Sequence, residues 1–193
     1  LITPETLQSA IATHHDKNIK AVVNVHLAGQ CEDLEAIYNI AKERGLFIIE
    51  DAAHAIGTIY VDHSGNKNPI GSNAFSDLTT FSFHPVKTIA MGEGGAVTTN
   101  DDNIAKRLYS YRSHGMIRSS EQWETKEETG PWYYEMQDLG YNFRISDINC
   151  ALGLSQLDKL EHFKTERAKI VNRYDAAFSD FQNSPPLRKL PFS

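Results

Sequence analysis

Asp51, His54, Ser82, His84 and Lys87 carry the side chains of this sequence best suited to chemistry on a small ligand. A carboxylate, two imidazoles, a hydroxyl and an amine fall within 37 positions, each at or just beyond the end of an apolar, β-branched run. His26 ends a further run of the same kind at 20–27. In a parallel sheet, ligands bind beyond the carboxyl ends of the strands, so these residues are expected to project toward one edge. Lys87 lies three residues past His84, in a segment that closes on Gly92-Glu93-Gly94-Gly95. Taken singly, each has an ordinary reading: Asp51 as a turn or cap residue, Lys87 as a solvated charge, the histidines as turn residues, the glycines as a tight turn. Only their combination points to a ligand site at one edge of the sheet. A free lysine amine, with a pKa near ~10.4, is mostly protonated at neutral pH, and enclosure beside other charges favours the neutral, nucleophilic form.

The elements that must position these groups alternate along the chain. Thr3 and Pro4 supply a cap and a first-turn proline before a short helix carrying Leu7 and Ile11. Strand is expected at 20–27, then helix at 32–44 with Leu34, Ile37, Ile40 and Ala41 on one face and Gly45 as its stop. A second strand at 46–50 has an uninterrupted apolar character that fits a sheet covered on both faces. Strands at 78–83 and 95–99 and a helix at 101–112 follow, and the alternation predicts a mainly parallel sheet. The stretch 113–141 is polar, aromatic-rich and punctuated by Gly130-Pro131, and reads as a long functional loop. Ser146 caps a helical run to about residue 181, with a break expected near Leu157-Asp158.

Composition narrows the function classes. At about 150 residues per domain, 193 residues make one large domain and a piece. Nineteen basic against twenty-five acidic residues give a net charge of −6 with no basic run, which argues against a nucleic-acid partner. No apolar stretch approaches a membrane span. The eight histidines show no metal-ligand spacing joined to carboxylates, so no metal is expected. Two distant cysteines, Cys31 and Cys150, make a reducing, cytoplasmic location the default reading. The chain opens at Leu1 on a helix-start signal and stops soon after Pro185-Pro186, and both ends read as cuts in a longer protein.

Four blocks carry a family resemblance. Glu50-Asp51-Ala52-Ala53-His54-Ala55, Phe81-Ser82-Phe83-His84-Pro85-Val86-Lys87 and Gly92-Glu93-Gly94-Gly95-Ala96-Val97 resemble the DegT/DnrJ/StrS family of sugar aminotransferases dependent on pyridoxal 5'-phosphate. Leu139-Gly140-Tyr141-Asn142-Phe143-Arg144, followed by Ala151-Leu152-Gly153 and Gln156-Leu157, is similar to the family's next block, in the same order and spacing. The resemblance implies an α/β fold-type-I transferase. Residues 1–157 would be the C-terminal portion of the large cofactor-binding domain, and 158–193 a connecting helix with the start of the small domain. It implies that Lys87 bonds the cofactor's aldehyde and then shuttles a proton, and that Asp51 faces the pyridine nitrogen. By the same likeness His54 sits near the phenolic oxygen and Ser82 donates to the phosphate. Asn142 would reach the phosphate of a neighbouring subunit, which makes the working unit a homodimer.

Arg112-Ser113-His114-Gly115-Met116 and Gly130-Pro131-Trp132-Tyr133-Tyr134 are similar to the family's pseudaminic acid branch. That branch implies a UDP-linked 4-keto-6-deoxy-N-acetylhexosamine acceptor and glutamate as donor. Trp132, Tyr133 and Tyr134 fit either a sugar or uracil face or a dimer contact, and both readings stay open. The family's phosphate-binding helix turn and its ring-stacking aromatic belong to a segment before Leu1. The 193 residues alone are therefore expected to hold the cofactor weakly or not at all. Two alternatives remain beside this reading: a deoxygenating branch, against which Lys87 speaks, and a non-catalytic dimerising module that kept the fold.

Overall fold

The computed structural model describes residues 1–125 and 129–178. Helix α1 (Pro4–Thr13) begins where Thr3 and Thr6 form a reciprocal cap, with Pro4 in the first turn. Strand β1 (Ala21–Val25) leads through a tight turn into α2 (Leu34–Lys42), whose N-cap Asp33 accepts the N–H of Ala36. Strand β2 (Phe47–Asp51) returns parallel to β1, with Val25 opposite Asp51. A short antiparallel hairpin, β3 (Ile59–Val61) and β4 (Lys67–Pro69), precedes β5 (Leu78–Ser82), which lies parallel to β2. Strand β6 (Gly95–Thr98) pairs antiparallel with β5, giving the order β1-β2-β5-β6.

The sheet is thus parallel over three strands, as expected, with an antiparallel edge. Only twelve residues separate Ser82 from Gly95, and the chain doubles straight back across them instead of crossing over through a helix. The hairpin β3–β4 was not foreseen, because Lys67-Asn68-Pro69 lacks strand character.

Leu7, Val22, Ile37, Ile40, Ala41, Leu46 and Ile48 form the main core between α1, α2 and one sheet face. A second cluster of Leu34, Ala52, Ala55, Tyr60 and Ile70 lies under the hairpin. The expectation of a sheet covered on both faces is not met within this chain. Val22 is 6% exposed, whereas Val23 and Val25, on the opposite face of β1, are 49% and 42% exposed.

Helix α3 (Asp102–Arg112) is capped by Asp101, and α4 (Asp147–Leu157) by Ser146. The chain breaks at Asp158-Lys159 before α5 (Leu160–Ala177), where the sequence placed a break, and the expected helix at 179–181 lies outside the described residues. Between α3 and α4 the expected loop is partly ordered by β7 (Met116–Ile117) pairing with β8 (Glu135–Met136). Glu135 organises it by accepting the N–H groups of Glu124 and Thr125, the Gln137 amide and the Tyr133 hydroxyl. Desolvation opposes the charge on Glu135, and those donors outweigh it, lowering its pKa to about 2. Trp123 packs edge-on against Tyr133 at 4.8 Å and donates to the carbonyl of Ile117.

Two polar anchors tie β2 to its neighbours. The buried Glu50 carboxylate accepts from Thr79 Oγ1 at 2.6 Å and Ser76 Oγ at 3.1 Å, and lies 3.5 Å from Nε2 of buried His26. Burial pushes the Glu50 carboxyl up, but His26, Thr79 and Ser76 together hold it below the usual carboxylate range. Lys42 grips both oxygens of Asp77 at 2.7 Å, and Asp77 accepts the N–H of Ile48.

Replacing Glu50 by Ala leaves these buried donors without an acceptor, and denaturant titration should show a loss of about 3–5 kcal/mol. At the hairpin, His63 lies 2.9 Å from Asp33 and 3.4 Å from Glu35. The Asp33 hydrogen bond and the two carboxylates raise the pKa of His63 above its ordinary 6.5. A raised histidine pKa stabilises the folded form at low pH and loses that contribution as pH rises through the folded value. Protection of the β3 and β4 amides, after correction for intrinsic base-catalysed exchange, should therefore fall as the pH rises above the ordinary histidine value of about 6.5. His63→Gln should remove that dependence.

Candidate active site

Asp51 is the last residue of β2, and the strand on each side fixes its backbone. Its carbonyl accepts the N–H of His26, and the N–H of Ala52 donates to the carbonyl of Thr80. Asp51 Oδ1 accepts the N–H of Ala53 at 3.1 Å, a local turn that sets the carboxylate's direction. The side chains of β2 alternate, so Ile48 and Glu50 are buried on one face while half-buried Asp51 lies on the other.

His54 follows in the turn after β2. Its Nδ1 accepts the N–H of Ala28 at 3.3 Å, across the turn that ends β1. Ser82 closes β5, two positions beyond the Thr80 that pairs with Asp51, so its hydroxyl and the Asp51 carboxylate share one end of adjacent parallel strands. His26, which the strand-end rule also selected, is instead 1% exposed and paired with Glu50 beneath the sheet.

Lys87 is half-buried in a loop that leaves β5 and returns to β6. Phe83 N–H donates to Gly94 and Met91 N–H to Phe83, closing the loop at its base. Inside it, the carbonyl of His84 accepts the N–H of Lys87 at 2.9 Å, and His84 Nδ1 accepts that of Val86 at 3.3 Å. Buried Ile89 and Met91 anchor the loop inward, and Asn149 of α4 donates to the carbonyl of Glu93. A Cβ at Gly94 would stand 2.6 Å from Ile145 Cδ1, so the loop seats against the residues before α4 only with glycine there. His84 Nε2 and Glu93 Oε1 are 3.9 Å apart and exposed, a weak ion pair.

Asn142 belongs to a different segment, between α3 and α4. It forms a single antiparallel bridge with Ser113, just after α3, and is exposed. Tyr141 and Phe143 on either side stack at 4.9 Å and are 61% and 68% exposed. Asp51, His54, Ser82 and Lys87 thus come from the segments that leave the adjacent strands β2 and β5, and Asn142 from the segment between α3 and α4. An open concavity of about 1120 Å³ lined by Phe81, Val97, Leu108, Tyr109, Tyr141 and Phe143 includes none of the five.

The sequence did not reveal the Ala28 N–H as a partner of His54, because a backbone donor leaves no signature in side-chain types. Nor did it mark Glu50 as the centre of a buried network; a carboxylate inside the apolar run 46–50 was the available signal. Among the described residues, no group of three or more His, Cys, Asp or Glu could hold a metal ion, and no helix is long and apolar enough to cross a membrane.

Comparisons with known proteins fit this arrangement. Residues 1–191 match the model of the DegT/DnrJ/EryC1/StrS aminotransferase family. The spore coat polysaccharide biosynthesis protein SpsC of Bacillus subtilis (strain 168) is 40% identical over 177 residues, 92% of this chain and 42% of its own. The UDP-4-amino-4,6-dideoxy-N-acetyl-beta-L-altrosamine transaminase of Campylobacter jejuni is 38% identical over 162 residues, covering 84% of this chain and 39% of its own. Among solved structures, Helicobacter pylori PseC, an aminotransferase involved in pseudoaminic acid biosynthesis, superposes with a TM-score of 0.71 at 32% identity. That match covers 86% of this chain and 39% of PseC. Streptomyces-type DesV (S. venezuelae), solved with a ketimine intermediate, gives 0.73 at 28% identity over 97% of this chain and 44% of its own. Pyridoxal phosphate is the cofactor of this family, and one solved relative, Spr1654 of Streptococcus pneumoniae, is in its PLP form. The chain spans about two-fifths of the length of the curated relatives named here. By its α/β topology and by a match over nearly every residue, the chain belongs to the DegT/DnrJ/EryC1/StrS aminotransferase family.

Proposed function

We propose that these residues are the catalytic part of a pyridoxal phosphate-dependent sugar aminotransferase. In this reading it moves an amino group from glutamate to the 4-keto carbon of a UDP-linked 6-deoxy-N-acetylhexosamine. The observation that carries the reading is the placement of a carboxylate, a hydroxyl and an amine at one end of β2 and β5, within a family whose members bear that chemistry. The likeness to the Campylobacter jejuni transaminase and to PseC supports the substrate class.

The donor set fits the cofactor. An amine suits an aldehyde, a carboxylate suits a protonated ring nitrogen, and a short hydroxyl suits a phosphate at a strand end. Bound there, pyridoxal phosphate supplies a carbonyl that takes up an amino group and a ring that accepts an electron pair. Lys87 would bond that carbonyl with loss of water and, as a free amine, would move a proton between the donor's α-carbon and the cofactor's C4′, and in the opposite sense on the keto sugar. Asp51 holds the proton on the ring nitrogen, its own direction set by the Ala53 N–H. His54 stands at the phenolic oxygen and Ser82 at the phosphate.

Asn142 serves the phosphate of a second copy, which makes the unit a homodimer. Its exposure among the exposed apolar residues Leu139, Tyr141, Phe143 and Ile148 supports that role. We assign 1–157 to the large domain and 158–193 to the connecting helix and the start of the small one, and place the protein in the cytoplasm.

The full-length protein, incubated with glutamate and a panel of UDP-keto sugars, should yield an amino sugar detected by mass. Lys87→Arg keeps the charge but not a deprotonatable amine, and should lower the rate at least about 10³-fold. Asp51→Asn should slow turnover more than it weakens cofactor retention. Product formed by Lys87→Arg at the unaltered rate would refute the assignment.

A further inference from the structure

The turn that ends β1 is built around a backbone donor aimed at His54. Ala28 adopts φ 57° and ψ 22°, the left-handed region that an L-residue other than glycine enters only at an energetic cost. Strain of this kind persists only where the surroundings over-determine it. Here the N–H of Gly29 donates to the carbonyl of His26 at 3.1 Å, and that of Gln30 to Leu27 at 3.2 Å. Thr58 Oγ1 donates to the carbonyl of Gly29 at 2.9 Å. Gly29 itself, at φ 80°, lies so close that a Cβ would meet the His54 carbonyl at 3.2 Å. The product of these constraints is the Ala28 N–H, 3.3 Å from Nδ1 of His54.

A backbone N–H donates and never accepts. The nitrogen it meets must offer a lone pair, and a neutral imidazole has one such nitrogen and one that carries hydrogen. The other nitrogen, Nε2, takes no hydrogen bond from the described residues, and the ring is exposed.

We propose that the strained turn at Ala28 fixes His54 in the tautomer with hydrogen on Nε2, so that His54 meets the cofactor's phenolic oxygen as a donor. Ala28 and Thr58 are then positioning residues for His54. This inference rests on the placement of His54 proposed above. It goes beyond that placement in assigning the direction of the hydrogen bond and the residues that set it. A donor at that oxygen favours its negatively charged form, as hydrogen bonds to charged groups do.

The test uses full-length protein labelled with ¹⁵N at histidine, cofactor-free and loaded, with two-bond ¹⁵N–¹H correlation spectra reading the tautomer directly. The His54 signals, assigned by their loss in His54→Gln, should show hydrogen on Nε2 in both forms. Thr58→Val, which releases Gly29, should shift them toward a tautomer mixture. Cofactor binding should weaken at least about 10-fold in His54→Ala and less than about 3-fold in His54→Gln, which keeps an N–H donor. Hydrogen on Nδ1 in the unaltered protein would overturn the tautomer assignment whether or not cofactor binds. Hydrogen on Nε2 with unchanged cofactor dissociation in His54→Ala would instead overturn the placement of His54 at the cofactor.

Discussion

The buried carboxylate of Glu50 is the contact on which the working end of the sheet depends. It draws a hydroxyl from each of two residues on the approach to and within β5, and lies beside an imidazole from the end of β1. A charge taken out of water is costly unless its partners replace the lost hydration, so the three elements cannot separate without exposing that cost. Asp51 is the very next residue. Its side chain points to the other face, and its position is inherited from a neighbour whose partners leave it little freedom.

From that anchor the site spreads outward with falling rigidity. Asp51 and Ser82 end paired strands, His54 occupies a turn braced by the left-handed Ala28, and Lys87 rides a longer loop closed at Phe83 and Gly94 and held by Asn149. This gradation suits the division of work proposed above. Asp51 and Ser82, which would hold a ring and its phosphate, sit on strand ends, and the amine that must leave and return sits on the longer loop. Val23 and Val25 on β1 and the apolar row at 139–148 are open in this chain, which is two-fifths the length of the curated relatives named here.

Strand ends were legible in the sequence because apolar β-branched runs stop where the sheet stops, and that alone placed Asp51 and Ser82 at one edge. The starts of α1 and α4 were legible from Thr3 and Ser146, whose caps are formed as their residue types imply. The break before α5 fell where expected, though nothing stronger than a weak apolar face marked it. What escaped was information held across the fold and not along it. His26 obeys the same strand-end rule as Asp51, yet the period-two alternation of β1 turns it to the buried face with Val22 and Asn24. The direction of β6 depended on whether residues 83–94 crossed the sheet or folded back, which residue types do not encode. Order within 113–141 came from one carboxylate, Glu135, collecting donors from both sides of the loop, a closure with no periodic signature.

Hydride reduction of the full-length, cofactor-loaded protein, followed by digestion and mass mapping, tests the central claim most directly, because it freezes the cofactor onto whichever amine it has bonded. The account predicts a single modified peptide, the one that carries Lys87, and no modification after Lys87→Ala. A cofactor adduct on any other lysine, or a loaded protein that reduction leaves unmodified, would contradict it.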